Sequence, residues 1–426
     1  MTNLKKFLKK FLPDDLILYF WHYPRSFLAA LLFGFPARKL TVISVAGTKG
    51  KTTTCYLIAR ILEAAGRKTA MFSTAGLKIG SEEKPNLIKM TTPSPSFLQK
   101  FIKKAVEDGC KYLVLETSSH ALIQHRTFGI PLKVAVLTNL MSDHLEYHKT
   151  TEDYQLSHKK MISPHLQFLV LNNDNPDLKY FLEKPILNGQ KITYGLNSSA
   201  TIFAQDLSLS SAGSSFLIKT PKESAKINLP LLGKYNIYNA LAAASVAFYQ
   251  GVDLLTIKTA LEKFQGAPGR TQEINRGQNF KVIVDYAYSA DALNNLFGAI
   301  IPFKQGKIIA VFGAGGERDR PKPEMGRILD QNADYVVITN DSPRGEDEEK
   351  IAQGLISGIK NKIINQNLFK ILDRRLAIEK AISLAKKNDL VLILGMGAEQ
   401  WQIFKDKKIP WDDRKVAAEI LEKIKK

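Results

Sequence analysis

A chain of 426 residues has room for two or three domains, each with its own hydrophobic core. Hydrophobic residues at 45% and charged residues at 24% describe an ordinary globular protein and exclude a disordered one, while two cysteines, Cys55 and Cys110, exclude a disulfide framework and suit a reducing cytoplasm. The net charge of +19 asks for a polyanionic partner (nucleotide, nucleic acid or anionic membrane) or reflects a basic proteome, since the lysines are scattered.

The first predicted element is a basic amphipathic helix. In MTNLKKFLKKFL, Leu4, Phe7, Leu8, Phe11 and Leu12 form one stripe, with Lys5, Lys6, Lys9 and Lys10 opposite. LILYFWHYP and FLAALLFGF follow, each too short to span a bilayer and interrupted by Pro24 and Arg25. No secretory cleavage site is evident. Residues 1–38 therefore either lie on an anionic membrane surface or pack against the next domain, in a protein that is cytoplasmic or membrane-peripheral.

From Lys39 strands and helices alternate: LTVISVA (40–46), KTAMFST, YLVLE (112–116), KVAVLTN (133–139) and FLVLNN (168–173) read as strands of a mainly parallel, doubly wound sheet. Within the first strand–helix turn lies VAGTKGKTTT. Glycines allow close backbone approach, the helix start turns N–H groups toward an anion, Lys51 adds charge, and the Thr52 hydroxyl suits Mg²⁺. Val45 stands where the usual nucleotide loop has a glycine, so this is a compact variant. Residues 200–231 read as short antiparallel strands, IYNALAAASVAFYQG and LLTIKTALEKF as helices, and QGAPGR (265–270) as a break. A second alternating series, KVIVDYA, KIIAVFGAGG, YVVITND and LVLILGMG, ends in a basic helix. The expected architecture is α/β: a helical segment (1–38), a central nucleotide-loop ATPase domain (39–267) and a smaller Rossmann-like α/β domain (268–426).

Polar residues collect at the C-terminal ends of the strands, where such sheets bind ligands. Glu116 ends one buried run; Asp143 and His144 follow another. Each alone reads as a cap or surface residue; converging on Lys51 and Thr52, they could complete a Mg²⁺ shell. Neither an aromatic-rich RNA-binding signature nor a zinc-spaced Cys/His set occurs, so nucleic acid is not an expected partner.

The stretches GTKGKTT, TTPSP (91–95), ETSSHALIQHR (116–126), TNLMSDHLEYH (138–148), GKYNIYNALAA (233–243), PGR (268–270), VDYA (284–287), FGAGGERD (312–319) and DSPR (341–344) occur in the order seen in Mur ligases. Over residues 40–400 the chain resembles the branch that adds the third residue of the peptidoglycan stem peptide. The resemblance implies a monomer that uses ATP and Mg²⁺. ATP would phosphorylate the carboxylate that ends UDP-MurNAc-L-Ala-D-Glu; an amine would then attack the acyl phosphate and expel phosphate. By resemblance Gly47, Thr48, Lys49, Gly50, Lys51, Thr52 and Thr53 cradle the triphosphate, and Thr52, Glu116 and His144 serve the metal. Asn236, Arg270 and Asp285 contact the nucleotide. Thr91, Thr92, Ser118, Gln124 and Arg126 hold the muramoyl peptide; Arg318, Asp341, Ser342, Pro343, Arg344, Gly395 and Glu399 line the pocket for the incoming amino acid. Arg344 points to meso-diaminopimelate rather than lysine.

Several positions depart from that pattern. About 38 residues precede the loop, too few for the family's uridine-binding domain, which raises a lipid-linked or altered muramoyl substrate as an alternative. The family carboxylates a lysine four residues after a tyrosine; counting from Tyr154 gives His158, with Lys159 adjacent, so either residue is a candidate for the catalytic role. Tyr288, Met396 and Ala398 stand where the family has His, Lys and His. The competing readings are a lysine-adding or folylpolyglutamate-type ligase, and a membrane-surface nucleotide-binding protein without ligase activity.

Overall fold

A computed structural model describes residues 18–88, 90–141, 145–148, 150–186, 188–317 and 321–424. The amphipathic stripe of residues 4–12, His144 and Arg318 lie outside the described residues. The chain divides into two compact units. One runs to Ser208 and takes in Ser215–Leu229 and Tyr235–Phe264; the other holds Leu209–Ser214, Pro230–Lys234 and Gln265–Lys426.

The first unit is built on eleven strands: β1 (Thr41–Ala46), β2 (Thr69–Phe72), β3 (Gly76–Ile79), β4 (Glu82–Pro85), β5 (Tyr112–Glu116), β6 (Leu132–Leu137), β7 (Phe168–Asn172), β8 (Gln190–Gly195), β9 (Ile202–Ser210), β10 (Gly213–Lys219) and β11 (Ser224–Leu229). Their order is β11-β10-β9-β8-β7-β6-β1-β5-β2-β3-β4. The run from β8 to β2 is parallel, as the buried apolar stretches predict, because helical crossovers cover both faces. The antiparallel strands β3 and β4 are not legible in the sequence: every residue of β4 is exposed, and pairing to β3 rather than burial holds it.

Register decides where the site forms. Val45 pairs with Glu116 on β5, and Ala46 pairs with Leu137 on β6. Glu116, the loop from Gly47 and the Thr138–Asn139 pair therefore emerge side by side. Before this sheet, the helix Tyr23–Leu32 buries Ser26, Ala29 and Ala30. At its margin the Tyr23 ring lies 5.1 Å and the Phe27 ring 5.8 Å from that of Phe128. This inner face does pack on the fold; Tyr19, Phe20, Leu28, Leu31 and Leu32 stay exposed.

The second unit holds β12 (Gln272–Glu273), β13 (Lys281–Asp285), β14 (Ile308–Phe312), β15 (Tyr335–Ile338), β16 (Leu368–Lys370) and β17 (Leu390–Leu394), in the order β12-β13-β17-β14-β15-β16. All neighbours except β12–β13 are parallel. Period-two alternation splits the strands between two cores. Ile283, Ala310, Ile338 and Leu392 face the side covered by the helices Ala290–Ile300, Lys322–Asn332 and Glu348–Ile356. Val282, Val311, Val337 and Ile393 face the helices Arg374–Leu384 and Asp413–Ile424. Among the described residues no helix is long and apolar enough to cross a membrane.

Candidate active site

The loop after β1 needs its glycines for two reasons. Gly47 and Gly50 have φ of +130° and +83°, and a Cβ on either would collide, at Gly47 with Thr138 and Asn139 and at Gly50 with the Asn239 side chain. The collisions record how tightly the loop is held from outside. The Thr48 amide donates to Asn139 O and the Lys49 amide to Asn139 Oδ1, both at 2.9 Å; Thr138 Oγ1 donates to Lys49 O at 2.7 Å. Below the loop, the Thr48 and Tyr154 hydroxyls share a hydrogen bond of 2.9 Å.

The Lys51 ammonium folds over this loop and donates to Gly47 O at 2.6 Å and Thr48 O at 2.9 Å. One residue on, Thr52 reaches the buried carboxylate of Glu116, which also accepts from the Thr74 amide at 2.7 Å and the Thr74 hydroxyl at 2.8 Å. From the helix Lys234–Tyr249, Asn239 Nδ2 donates to Asn236 Oδ1 at 2.9 Å, so Asn236 reaches the loop through Asn239.

The muramoyl-peptide candidates gather on the flank of Glu116. Thr92 Oγ1 donates to Glu116 O and accepts from the Ser118 amide, both at 3.0 Å; the Thr91 hydroxyl accepts from Thr74 at 3.0 Å. Arg126 donates to Thr92 O and to Gln124 Oε1, each at 2.7 Å, and burial holds its guanidinium below its ordinary value.

The two residues weighed for the catalytic role part company. His158 is buried, its Nδ1 is 2.9 Å from Tyr154 O, and its ring lies 5.1 Å from that of Tyr154. Burial above all holds the imidazole down at about 4; the charge on Lys51 acts in the same direction, and the Tyr154 carbonyl opposes both. The Lys159 ammonium instead sits over the Tyr180 ring, 4.0 Å from its centroid.

In the second unit, the Arg270 guanidinium stacks 4.5 Å over the Tyr286 ring, whose hydroxyl donates to Glu399 Oε1 at 3.2 Å. Asp285 accepts from the Thr271 amide at 2.6 Å; burial raises its carboxyl, and Arg270 counteracts that. At the ends of β15 and β17, Gln402 Nε2 donates to Asp341 O at 3.0 Å, the Ile403 amide to Ser342 Oγ at 3.2 Å, and the Arg344 amide to Ile403 O at 2.9 Å. Pro343 is buried between them, and Gly395, with φ of +104°, leaves room beside Asp341. Arg344 takes a left-handed φ of +58°, and its guanidinium has no ion-pair partner among the described residues. The acidic run that follows is engaged elsewhere: Glu346 with Lys322 at 2.8 Å, Glu349 with Lys370 at 2.7 Å, Glu348 with Asn340, and Asp347 capping a helix.

Sequence reasoning passed over Asn139, Thr74, Asn239 and Gln402, which shape the loop and the 341–344 segment. Asn239 alone carried a signal, its spacing of three from Asn236 on a helix.

Residues 45–247 match the Mur ligase middle domain and residues 269–397 the Mur ligase glutamate ligase domain. The UDP-N-acetylmuramoyl-L-alanyl-D-glutamate–2,6-diaminopimelate ligase of Clostridium botulinum is 38% identical over 397 residues, covering 92% of this chain and 80% of that one. The chain belongs to the Mur ligase family. The Mur ligases are ATP-dependent acid–amino-acid ligases, and this one is a ligase of cell-wall biogenesis. A relative of the same name from Syntrophomonas wolfei is 39% identical over 401 residues, covering 93% of this chain and 81% of that one. A solved diaminopimelate ligase of the same name superposes with a TM-score of 0.64 at 32% identity, over 91% of this Mur ligase and 79% of the other chain. A folylpolyglutamate synthase from Mycobacterium tuberculosis shares the fold, with a TM-score of 0.73 at 18% identity, over 94% of both chains.

Proposed function

We propose that this Mur ligase joins meso-diaminopimelate to UDP-MurNAc-L-Ala-D-Glu, with ATP and Mg²⁺, through an acyl phosphate. The phosphate loop from Gly47 to Thr53 receives the triphosphate, and Lys51 leaves its two loop carbonyls to neutralise charge that builds on the transferred phosphoryl group. Thr52 and Glu116 offer hard oxygen donors of the kind Mg²⁺ takes, and the ion supplies Lewis-acid polarisation there. Arg126, Gln124, Thr91, Thr92 and Ser118 orient the muramoyl peptide. Of the two candidates for the catalytic role, His158 is favoured by its place on Tyr154, whose hydroxyl meets Thr48.

The observation that carries the choice of amino acid is Arg344. Meso-diaminopimelate has a second carboxylate that lysine lacks, and the Arg344 guanidinium, without an ion-pair partner among the described residues, suits bidentate recognition of it. ADP release with UDP-MurNAc-L-Ala-D-Glu and a panel of amines tests the proposal. Release driven best by lysine, by glutamate on a folate, or by no amine would overturn it.

A further reading concerns residues 1–38, which we infer touch an anionic membrane surface from the cytoplasmic side. Tyr19, Phe20, Leu28, Leu31 and Leu32 are 53–81% exposed, the Arg25 and Arg38 guanidinium groups stack on Trp21 and Phe35, and residues 18–62 contain no acidic residue.

A further inference from the structure

Arg374 lies outside every motif that the function absorbs, yet it is the largest side chain among those fully buried. It opens the helix Arg374–Leu384, behind the capping residue Asp373. Its Nε and Nη2 donate to the two carboxylate oxygens of Asp413 at 2.8 and 2.7 Å. Nη1 then donates to Asn340 O at 3.1 Å, and Nη2 to Leu394 O at 2.9 Å. Trp411 Nε1 also donates to Asp413 Oδ1, at 2.8 Å, holding the carboxylate in place.

The two carbonyls are not arbitrary. Asn340 precedes Asp341, and Leu394 precedes Gly395; a Cβ on Gly395 would lie 3.6 Å from Asp341 Oδ2. One guanidinium thus ties the end of β15 to the end of β17 at the residues where each strand turns into the 341–344 and 395–399 segments. Packing alone does not need an ion pair here: a buried pair gains little over well-packed apolar residues of similar volume, because desolvation offsets most of the attraction. What a planar fork adds is fixed spacing between four acceptors.

We propose that Arg374, held by Asp413, is the positioning residue that sets the distance between Asp341 and Gly395, and so the affinity for the incoming amino acid. This rests on the assignment of that pocket under the proposed function.

The test compares the enzyme with Arg374→Lys and with the apolar pair Arg374→Met/Asp413→Leu, reading thermal midpoint and KM for each substrate. KM for the amino acid is expected to rise about tenfold or more in both, since misplacement by a fraction of an ångström is costly. KM for the muramoyl dipeptide stays within about twofold, because its candidate residues from Thr91 to Arg126 belong to the other unit. Should the apolar pair not fold, Arg374→Lys carries the same comparison. An unchanged amino-acid KM, or an equal rise in that for the muramoyl dipeptide, would show a purely structural pair and overturn the proposal. Absence of amine-dependent ADP release by the unsubstituted enzyme would instead defeat the functional assignment, and the positioning role with it.

Discussion

The Thr52 hydroxyl lies 3.1 and 3.0 Å from the two carboxylate oxygens of Glu116, bridging the first turn of the loop helix and the end of the neighbouring strand. On the proposed function, these oxygens are among those that would hold Mg²⁺. Glu116→Gln keeps the volume and the hydrogen-bonding reach while removing the charge. It is expected to raise the Mg²⁺ concentration for half-maximal turnover tenfold or more, and to lower kcat by roughly 10²-fold. A Mg²⁺ titration of ADP release checks both numbers; unaltered Mg²⁺ dependence would exclude Glu116 from the metal shell.

Lys51→Ala should fold normally, because the loop is also held by Thr138, Asn139 and Tyr154. Turnover should fall at least about 10²-fold through loss of transition-state charge neutralisation. Circular dichroism and steady-state kinetics on the same preparation separate the two effects, and an undiminished kcat removes the loop lysine from the mechanism.

His158 and Lys159 make opposite predictions. His158→Ala should lose most activity, about 10²-fold or more, whereas Lys159→Ala should lose only its contact with the Tyr180 ring and remain within a few-fold of the parent. The reverse result, with activity restored to Lys159→Ala by small carboxylates, would return the role to a carboxylated lysine.

For Arg344→Ala the expected change is in preference. The kcat/KM ratio of meso-diaminopimelate to lysine should fall by about 10²-fold, the worth of a charged bidentate pair in a desolvated pocket. A ratio that does not move rules out the guanidinium as the reader of the second carboxylate.

Deleting residues 1–12 should abolish sedimentation with anionic liposomes and leave ADP release intact. Salt should weaken binding by the full chain, since surface charges are screened within about 10 Å at 0.1 M. Failure of the full chain to sediment at low salt would assign these residues to other contacts.

How far the site could be read in advance depended on the kind of signal. The parallel strands were legible because burial on both faces leaves unbroken apolar runs such as YLVLE and LVLIL. Gly47 to Thr53, Glu116 and the DSPR segment stood out as candidates because phosphate, cation and carboxylate chemistry each demand particular residue types. The contacts of Asn139 with Lys49, and of Arg374 with Asn340 and Leu394, were not, since both are fixed by strand register between segments far apart in sequence. Nor could counting from Tyr154 choose between His158 and Lys159. The helix Thr151–Ser157 tightens to a 3₁₀ turn over His158–Met161, which separates adjacent side chains more widely than an α-helix would.

The backbone of Arg344 carries a consequence of another kind. A φ of +58° suits glycine and disfavours any residue with a Cβ by about 1 kcal/mol. Arg344→Gly relieves that strain at a comparable cost in unfolded-chain entropy, so a screen for heat resistance alone would tolerate it. On the role proposed for Arg344, the surviving proteins would no longer tell the two amino acids apart. Laboratory evolution of this enzyme toward robustness thus has a built-in route to promiscuity, one residue wide, unless selection for the correct product is applied at every round.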